Sequence, residues 1–185
     1  MKKAEVFSQI VLKKEVDLTQ VFEFVPELKE IEGYPQNHPA HCYDILTHTM
    51  EVVNNVPPEL ITRLTALFHD CGKPAVKHVG EDGVTHFWGH EEHSSKLAHI
   101  YLERLGFESN TIDTVCTMIL MHDKPLALTL DELEEKIKDH GKDFCRMLLS
   151  HQIADLMAHD KSYIEKKAAA LERLHRFHDL LSNID

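Results

Sequence analysis

Histidine followed directly by aspartate occurs four times in this chain, as His69-Asp70, His122-Asp123, His159-Asp160 and His178-Asp179. Imidazole nitrogen and carboxylate oxygen together make a transition-metal ligand set, and histidine also carries protons near neutral pH. With fifteen histidines in the chain a dipeptide alone is a weak signal, so context must separate the pairs. The first pair lies in His69-Asp70-Cys71-Gly72-Lys73, where a glycine permits a tight exit from a helix. Neighbouring residues on a regular helix point about 100° apart. Both can reach one ion where Gly72 and Pro74 unwind the helix. Two ligands do not close a metal site, and the others must come from adjacent helices. His48, in Thr47-His48-Thr49, supplies one. Asp155, in Gln152-Ile153-Ala154-Asp155-Leu156, supplies another, because a carboxylate on an apolar face is costly unless it meets a cation.

The elements that must position these residues read as helices. Apolar residues recur at three- and four-residue spacing almost throughout, which predicts an all-α helical bundle. The spacing predicts helices over 4–14 and 19–30, then over 42–53 carrying His48. A stripe of Leu60, Ile61, Leu64, Leu67 and Phe68 follows, with His69 and Asp70 on its last turn. Residues 76–88 differ: two short extended runs flank Asp82-Gly83, predicting a small hairpin or extended loop. Helix returns over 90–105 and stops at Gly106. Asn110 is placed to cap the next helix, which ends near His122. Thr129-Leu130-Asp131-Glu132 is a capping box opening a polar helix that ends at Gly141. Phe144, Leu148, His151 and Asp155 share one face of the helix after it. A last helix spans about 162–181, with Ile164, Ala168, Leu171, Leu174 and Leu181 on its buried side.

The bulk numbers restrict the partners. The 185 residues suit a single domain, 1–185, divided into N-terminal helices over 1–35, a core over 36–160 and a C-terminal helix over 161–185. A net charge of −11 repels nucleic-acid backbone in general, so a phosphate ligand must be captured locally. Cys42, Cys71, Cys116 and Cys145 form no C-x-x-C pair and read as reduced thiols. No secretory signal opens the sequence, and no apolar run nears the roughly 18 residues that span a bilayer. A cytoplasmic protein without membrane contact is expected.

The arrangement His48, His69-Asp70 with Gly72 and Lys73, then Asp155, resembles the HD superfamily of metal-dependent phosphohydrolases. More narrowly, Val25-Pro26-Glu27-Leu28, the run from Tyr43 to Thr49 and Phe87-Trp88-Gly89-His90-Glu91 are similar to the HD region of bacterial tRNA nucleotidyltransferases, over about 21–160. The likeness covers the hydrolase half and not the nucleotidyltransferase head. It implies an HD-domain fold and one ion held by His48, His69, Asp70 and Asp155. In two-metal members, added histidines hold a second ion. Here His90 and His122 stand at matching places, with Asp70 bridging. Mixed His and carboxylate ligation suits iron, manganese, nickel, cobalt or zinc. Paired ions can activate a bridging water and clamp a phosphoryl oxygen, with Asp70 in the catalytic set and Lys73 meeting the substrate phosphate. Glu91 is a proton carrier or partner of the ligands, or equally a solvated first-turn glutamate.

Other residues compete for these roles. His86 and His93 rival His90, and His122 would also suit a helix C-terminus, where a cation is favourable. His41 and Asp44 support the ligands or are surface polar residues. His151 reads as a satisfied core histidine, and His159, His175 and His178 as surface or helix-end residues. Lys161, Lys166, Lys167, Arg173 and Arg176 make the last helix mildly basic, a solvated face that an RNA end could use. The expected activity is hydrolysis of a phosphomonoester or phosphodiester of a nucleotide or cyclic nucleotide, with a tRNA end as the larger partner. The alternatives are a non-catalytic HD-fold module that binds an RNA end or a protein, and oxygen activation at a di-iron site. The apolar edge of the last helix would suit a homodimer.

Overall fold

The computed structural model describes residues 2–183. Positions 1, 184 and 185 of the expected domain lie outside the described residues. Among the described residues the fold is an all-α bundle with one tiny two-stranded sheet. Helices α1 (Lys3–Val11) and α2 (Leu18–Phe24) open the chain. Asp17 caps α2 by accepting from the Thr19 amide. The helix expected over 19–30 is broken at Pro26, which has no N–H to continue the ladder, and Pro26–Ile31 turns as a 3-10 helix instead.

Helix α3 (Ile45–Asn55) begins three residues later than the spacing predicts, because Asp44 turns its carboxylate onto the Thr47 amide at 3.1 Å and becomes the cap. Helix α4 (Leu60–Phe68) runs through the centre, packed against α3. Every residue from Thr62 to Phe68 is buried. His69 is the first residue past it, and Lys73–Val76 follows as a 3-10 turn. The hairpin is shorter than expected: β1 (His78–Val79) pairs antiparallel with β2 (Thr85–His86), His78 opposite His86.

Helix α5 (His90–Leu105) lies between Gly89 and Gly106, both with positive φ, as glycine stops favour. Helix α6 (Ser109–Met121) starts after Glu108, so Asn110 is inside the first turn and caps nothing. Helix α7 (Leu130–His140) carries half of the expected box: Thr129 Oγ accepts from the Glu132 amide, whereas the Glu132 carboxylate accepts from the amide of Leu128, one residue ahead of the cap. Helix α8 (Lys142–Met157) follows. The single last helix expected is two, α9 (Lys161–Lys166) and α10 (Ala168–Ser182), parted at Lys167.

Two apolar clusters form. The larger joins α1 to α6 around Phe7, Ile45, Phe68 and Leu102. The smaller joins α7, α8 and α10 around Leu148, Leu174 and Phe177. Leu174, Phe177 and Leu181 of α10 are thus buried against the protein's own α8, whereas Ile164 and Leu171 are half-buried and Ala168 is exposed. Helix α8 serves both clusters, contributing Ala154 to the first and Leu148 to the second. The polar residues His48, His69, Asp70, His122 and His151 are buried where these elements meet, at the C-terminal ends of α4 and α6. No helix among the described residues is long and apolar enough to cross a membrane.

Candidate metal centre

The four histidines expected as ligands share one construction, which His159, its Nδ1 2.7 Å from the Asp155 carbonyl, has as well. His48 Nδ1 lies 3.3 Å from the Ala158 carbonyl, His69 Nδ1 2.8 Å from that of Ala66, His90 Nδ1 3.0 Å from that of Phe87 and His122 Nδ1 2.7 Å from that of Ile119. A carbonyl oxygen only accepts, so each Nδ1 carries the hydrogen and donates. In the neutral ring Nε2 is then left with its lone pair. All four Nε2 atoms converge. His48 Nε2 is 2.9 Å from Asp155 Oδ1, and His69 Nε2 is 3.3 Å from Asp70 Oδ2. His90 Nε2 is 3.2 Å from both Asp70 Oδ1 and His122 Nε2. Asp155 reaches the corner, its Oδ1 3.7 Å from His69 Nε2. The six expected ligands therefore come together from α3, α5, α8 and the turns after α4 and α6.

The donor set fits a cation. Two lone pairs at 3.2 Å, as on His90 and His122, repel unless a positive charge or a proton stands between them. His69 Nε2 and both carboxylate oxygens of Asp70 are buried without a hydrogen-bond partner among the described residues, the Lys73 ammonium meeting Asp70 as an ion pair, and a cation would satisfy the atoms left over. Two trios have all their donor atoms within 4.8 Å of one another: His48, His69 and Asp155, and His69, Asp70 and His122. Asp70 is 1 % exposed, whereas the Asp155 side chain keeps 19 % of its surface open and is less buried than its apolar setting implies.

Electrostatics sort these groups. Burial opposes charge on Asp70, but the His69 and Lys73 charges outweigh it and hold the carboxyl well below its usual range. Burial likewise opposes charge on His69 and His90, yet Asp70 raises both. His122 goes the other way, to about 4, through burial and then the charges of His69 and His90. Lys73, 5 % exposed, lies 2.7 Å from Asp70 Oδ2 and donates to Gln36 Oε1 at 2.8 Å. Gln36 in turn donates to the Tyr43 carbonyl. Lys73 thus pairs with a ligand at the wall of the cavity.

A cavity of about 450 Å³ opens above the cluster. Glu91 lines it, its Oε2 3.7 Å from His90 Nδ1. His86 stacks on Trp88 at the edge, ring centroids 4.7 Å apart and planes 7° off parallel. His93 does not line this cavity. Asp44 is the α3 cap. His41 and His159 do line it, their rings 4.5 Å apart and each near His48. His159, which the sequence reads as a surface or helix-end residue, does follow the end of α8, and its place in the cavity is not legible because a helix-end histidine gives no sign of what the next helix covers. His151 is wholly buried, its ring 5.0 Å from that of His69, and neither nitrogen has a partner among the described residues. Burial pushes it well below the usual histidine range, so it stands there neutral. Gln36 and Gln152 had no legible signal, for glutamine's role depends wholly on which carbonyls surround it.

The HD domain family matches residues 37–182 of this chain. A CC-adding tRNA nucleotidyltransferase of Thermus thermophilus is 31% identical over 145 residues, covering 75% of this chain and 32% of that protein. The chain spans about a third of the length of that relative.

Proposed function

The chain belongs to the HD domain family, and from that premise we propose that it is a metal-dependent phosphohydrolase acting on a phosphomonoester or phosphodiester of the nucleotide class. One observation carries this reading. Four imidazoles, each anchored through Nδ1 to a backbone carbonyl, turn their Nε2 lone pairs onto Asp70 and Asp155. Anchoring of this kind fixes the tautomer and ring direction that ligation needs.

His48, His69, Asp70 and Asp155 would hold one divalent ion, and His90 and His122 a second with Asp70 shared between them. Iron, manganese, nickel, cobalt or zinc suits such a set, and when bound would supply Lewis acidity and an acidified water. The chain's own residues do the rest. Lys73 keeps Asp70 ionised, and Gln36 fixes the Lys73 ammonium. Glu91 stands at the cavity wall where it can take or give a proton. Trp88 and His86 offer ring faces to a base at the edge of the cavity. The tRNA-related relative supports an RNA end as the macromolecular form of the same substrate class.

The test is metal analysis of the purified protein, followed by turnover of bis(p-nitrophenyl) phosphate and nucleoside monophosphates with manganese, nickel or cobalt. Metal bound in the wild type and lost in Asp155→Ala, with turnover lost alongside, is the expected result. A folded protein that binds none of these ions and cleaves none of these esters would overturn the reading.

A further inference from the structure

Beside the aromatic lobe, a second lobe of about 210 Å³ opens on the far side of Asp155 and His159. The two lobes share His122, Asp123, Lys124, Asp155 and His159, so they meet over the metal centre. The second is lined by three cations from two parts of the chain: Lys124 from the turn after α6, Lys167 between α9 and α10, and Arg173 from α10. None of the three has a carboxylate within ion-pair distance among the described residues, while the protein as a whole carries −11. Arg173 Nε is buried and has no hydrogen-bond partner among the described residues. Asp123 is the one acid there besides the ligand Asp155, and it is exposed. Three cations that no carboxylate pairs, facing two acids of which one is the expected ligand Asp155, make a local anion site on an acidic protein, and Arg173 presents donors that match a phosphate's oxygens.

We infer that this lobe binds a second phosphate of the substrate, and that the substrate is a phosphodiester lying across the metal centre. This rests on the hydrolase reading above and deepens it. A monoester has one organic group and fills one lobe. A diester has two, and here one lobe is aromatic and the other basic. The matching ligand is a dinucleotide with a terminal 5′-phosphate: its diester at the centre, its 3′ nucleoside towards Trp88, and its 5′-phosphate among Lys124, Lys167 and Arg173. Hydrolysis adds water across the diester. Water oxygen bonds to phosphorus, the bond from phosphorus to the 3′ oxygen of the first nucleotide breaks, and that 3′ oxygen takes up a proton. Two nucleotides leave.

The experiment compares pNpN with NpN on the metal-loaded wild type and on Lys167→Ala/Arg173→Ala, by kcat/KM and by calorimetric binding with calcium as an inert ion. Wild type should favour pNpN about tenfold or more, the weight of charge-assisted bonds to one phosphate. The double variant should lose that preference in both measurements. Equal handling of pNpN and NpN by wild type, or an undiminished preference in the variant, overturns the inference. If wild type cleaves neither compound the hydrolase reading is what fails, and the binding arm still decides the subsite by the same criterion.

Discussion

Two corners of the molecule are built alike and end differently. Helix α4 ends at His69-Asp70 and helix α6 at His122-Asp123. In each, the histidine sits in the capping position and donates Nδ1–H to the carbonyl three residues back. In each, its Nε2 faces the cluster proposed to hold metal. The aspartates then part. Asp70 is buried among three histidines and Lys73, whereas Asp123 is exposed. The chain after Asp70 runs inward because Gly72 lets it lie against α5: the Gly72 amide donates to Ser94 Oγ, and a Cβ at Gly72 would stand 2.4 Å from the Ser94 amide nitrogen. After Asp123 come Lys124 and Pro125, held from outside by Gln152, which donates to the His122 carbonyl at 3.1 Å. A His-Asp dipeptide at a helix end therefore offers one candidate ligand through its histidine. It supplies a second only if the exit lets the aspartate turn in.

The largest effect should separate the two aspartates. Asp70→Asn keeps the shape and removes the charge shared by the whole cluster, so phosphoesterase activity should fall by about 1,000-fold or more with metal content. Asp123→Asn should change kcat/KM on bis(p-nitrophenyl) phosphate no more than about threefold, as expected of an exposed charge. Comparable losses in the two variants would erase the distinction between the corners.

Next comes the exit itself. Gly72→Ala places a methyl into backbone, which cannot yield as a flexible side chain would, and should cost about 3 kcal/mol in denaturant unfolding. Metal affinity should drop with it, since Asp70 moves with the turn. A variant as stable as wild type would show that the corner does not depend on the close approach to α5. Smaller, about 2 kcal/mol, is the expected cost of Gln152→Leu, which leaves the carbonyls of Met121, His122 and Lys124 without their shared donor. If the second corner holds a second ion, metal stoichiometry in this variant should fall from two towards one while the first ion stays. Loss of both together would mean the corners are a single unit.

The sequence exposed the first corner better than the second for the same reason. Glycine and lysine after His69-Asp70 carry their geometry in their residue types, and the apolar setting of Asp155 marks a carboxylate that needs a cation. The span of α5 and the cap at Thr129 were equally open to reading, because both are local hydrogen-bond chemistry. What decides Gln152, His151 and His159 is which element lies across from them, and no local pattern holds that. The same is true of Asp44, whose carboxylate took an amide that a longer helix would have used internally. Lys167 and Arg173 read as a solvated stripe until α10 folded back on α8 and placed them beside the turn after α6.

The smallest effect distinguishes the two corner histidines by pH. Asp70 raises His69, so without metal His69 takes its proton at a higher pH than an ordinary histidine. His122 is lowered to about 4 and stays neutral through the same range. A metal must displace whatever proton its ligand carries. Acidification from pH 8 to pH 6 should therefore weaken the ion at His48, His69, Asp70 and Asp155, by up to about tenfold for each pH unit below the point where His69 protonates. His122 adds nothing to that loss until the pH nears its own value, although His90, raised like His69, does. Chelator competition at pH 8, 7 and 6 reads the effect directly. Repeating it in His122→Gln should leave the slope for the first ion unchanged, whereas a slope that flattens would place the titrating proton at the second corner and reverse the assignment.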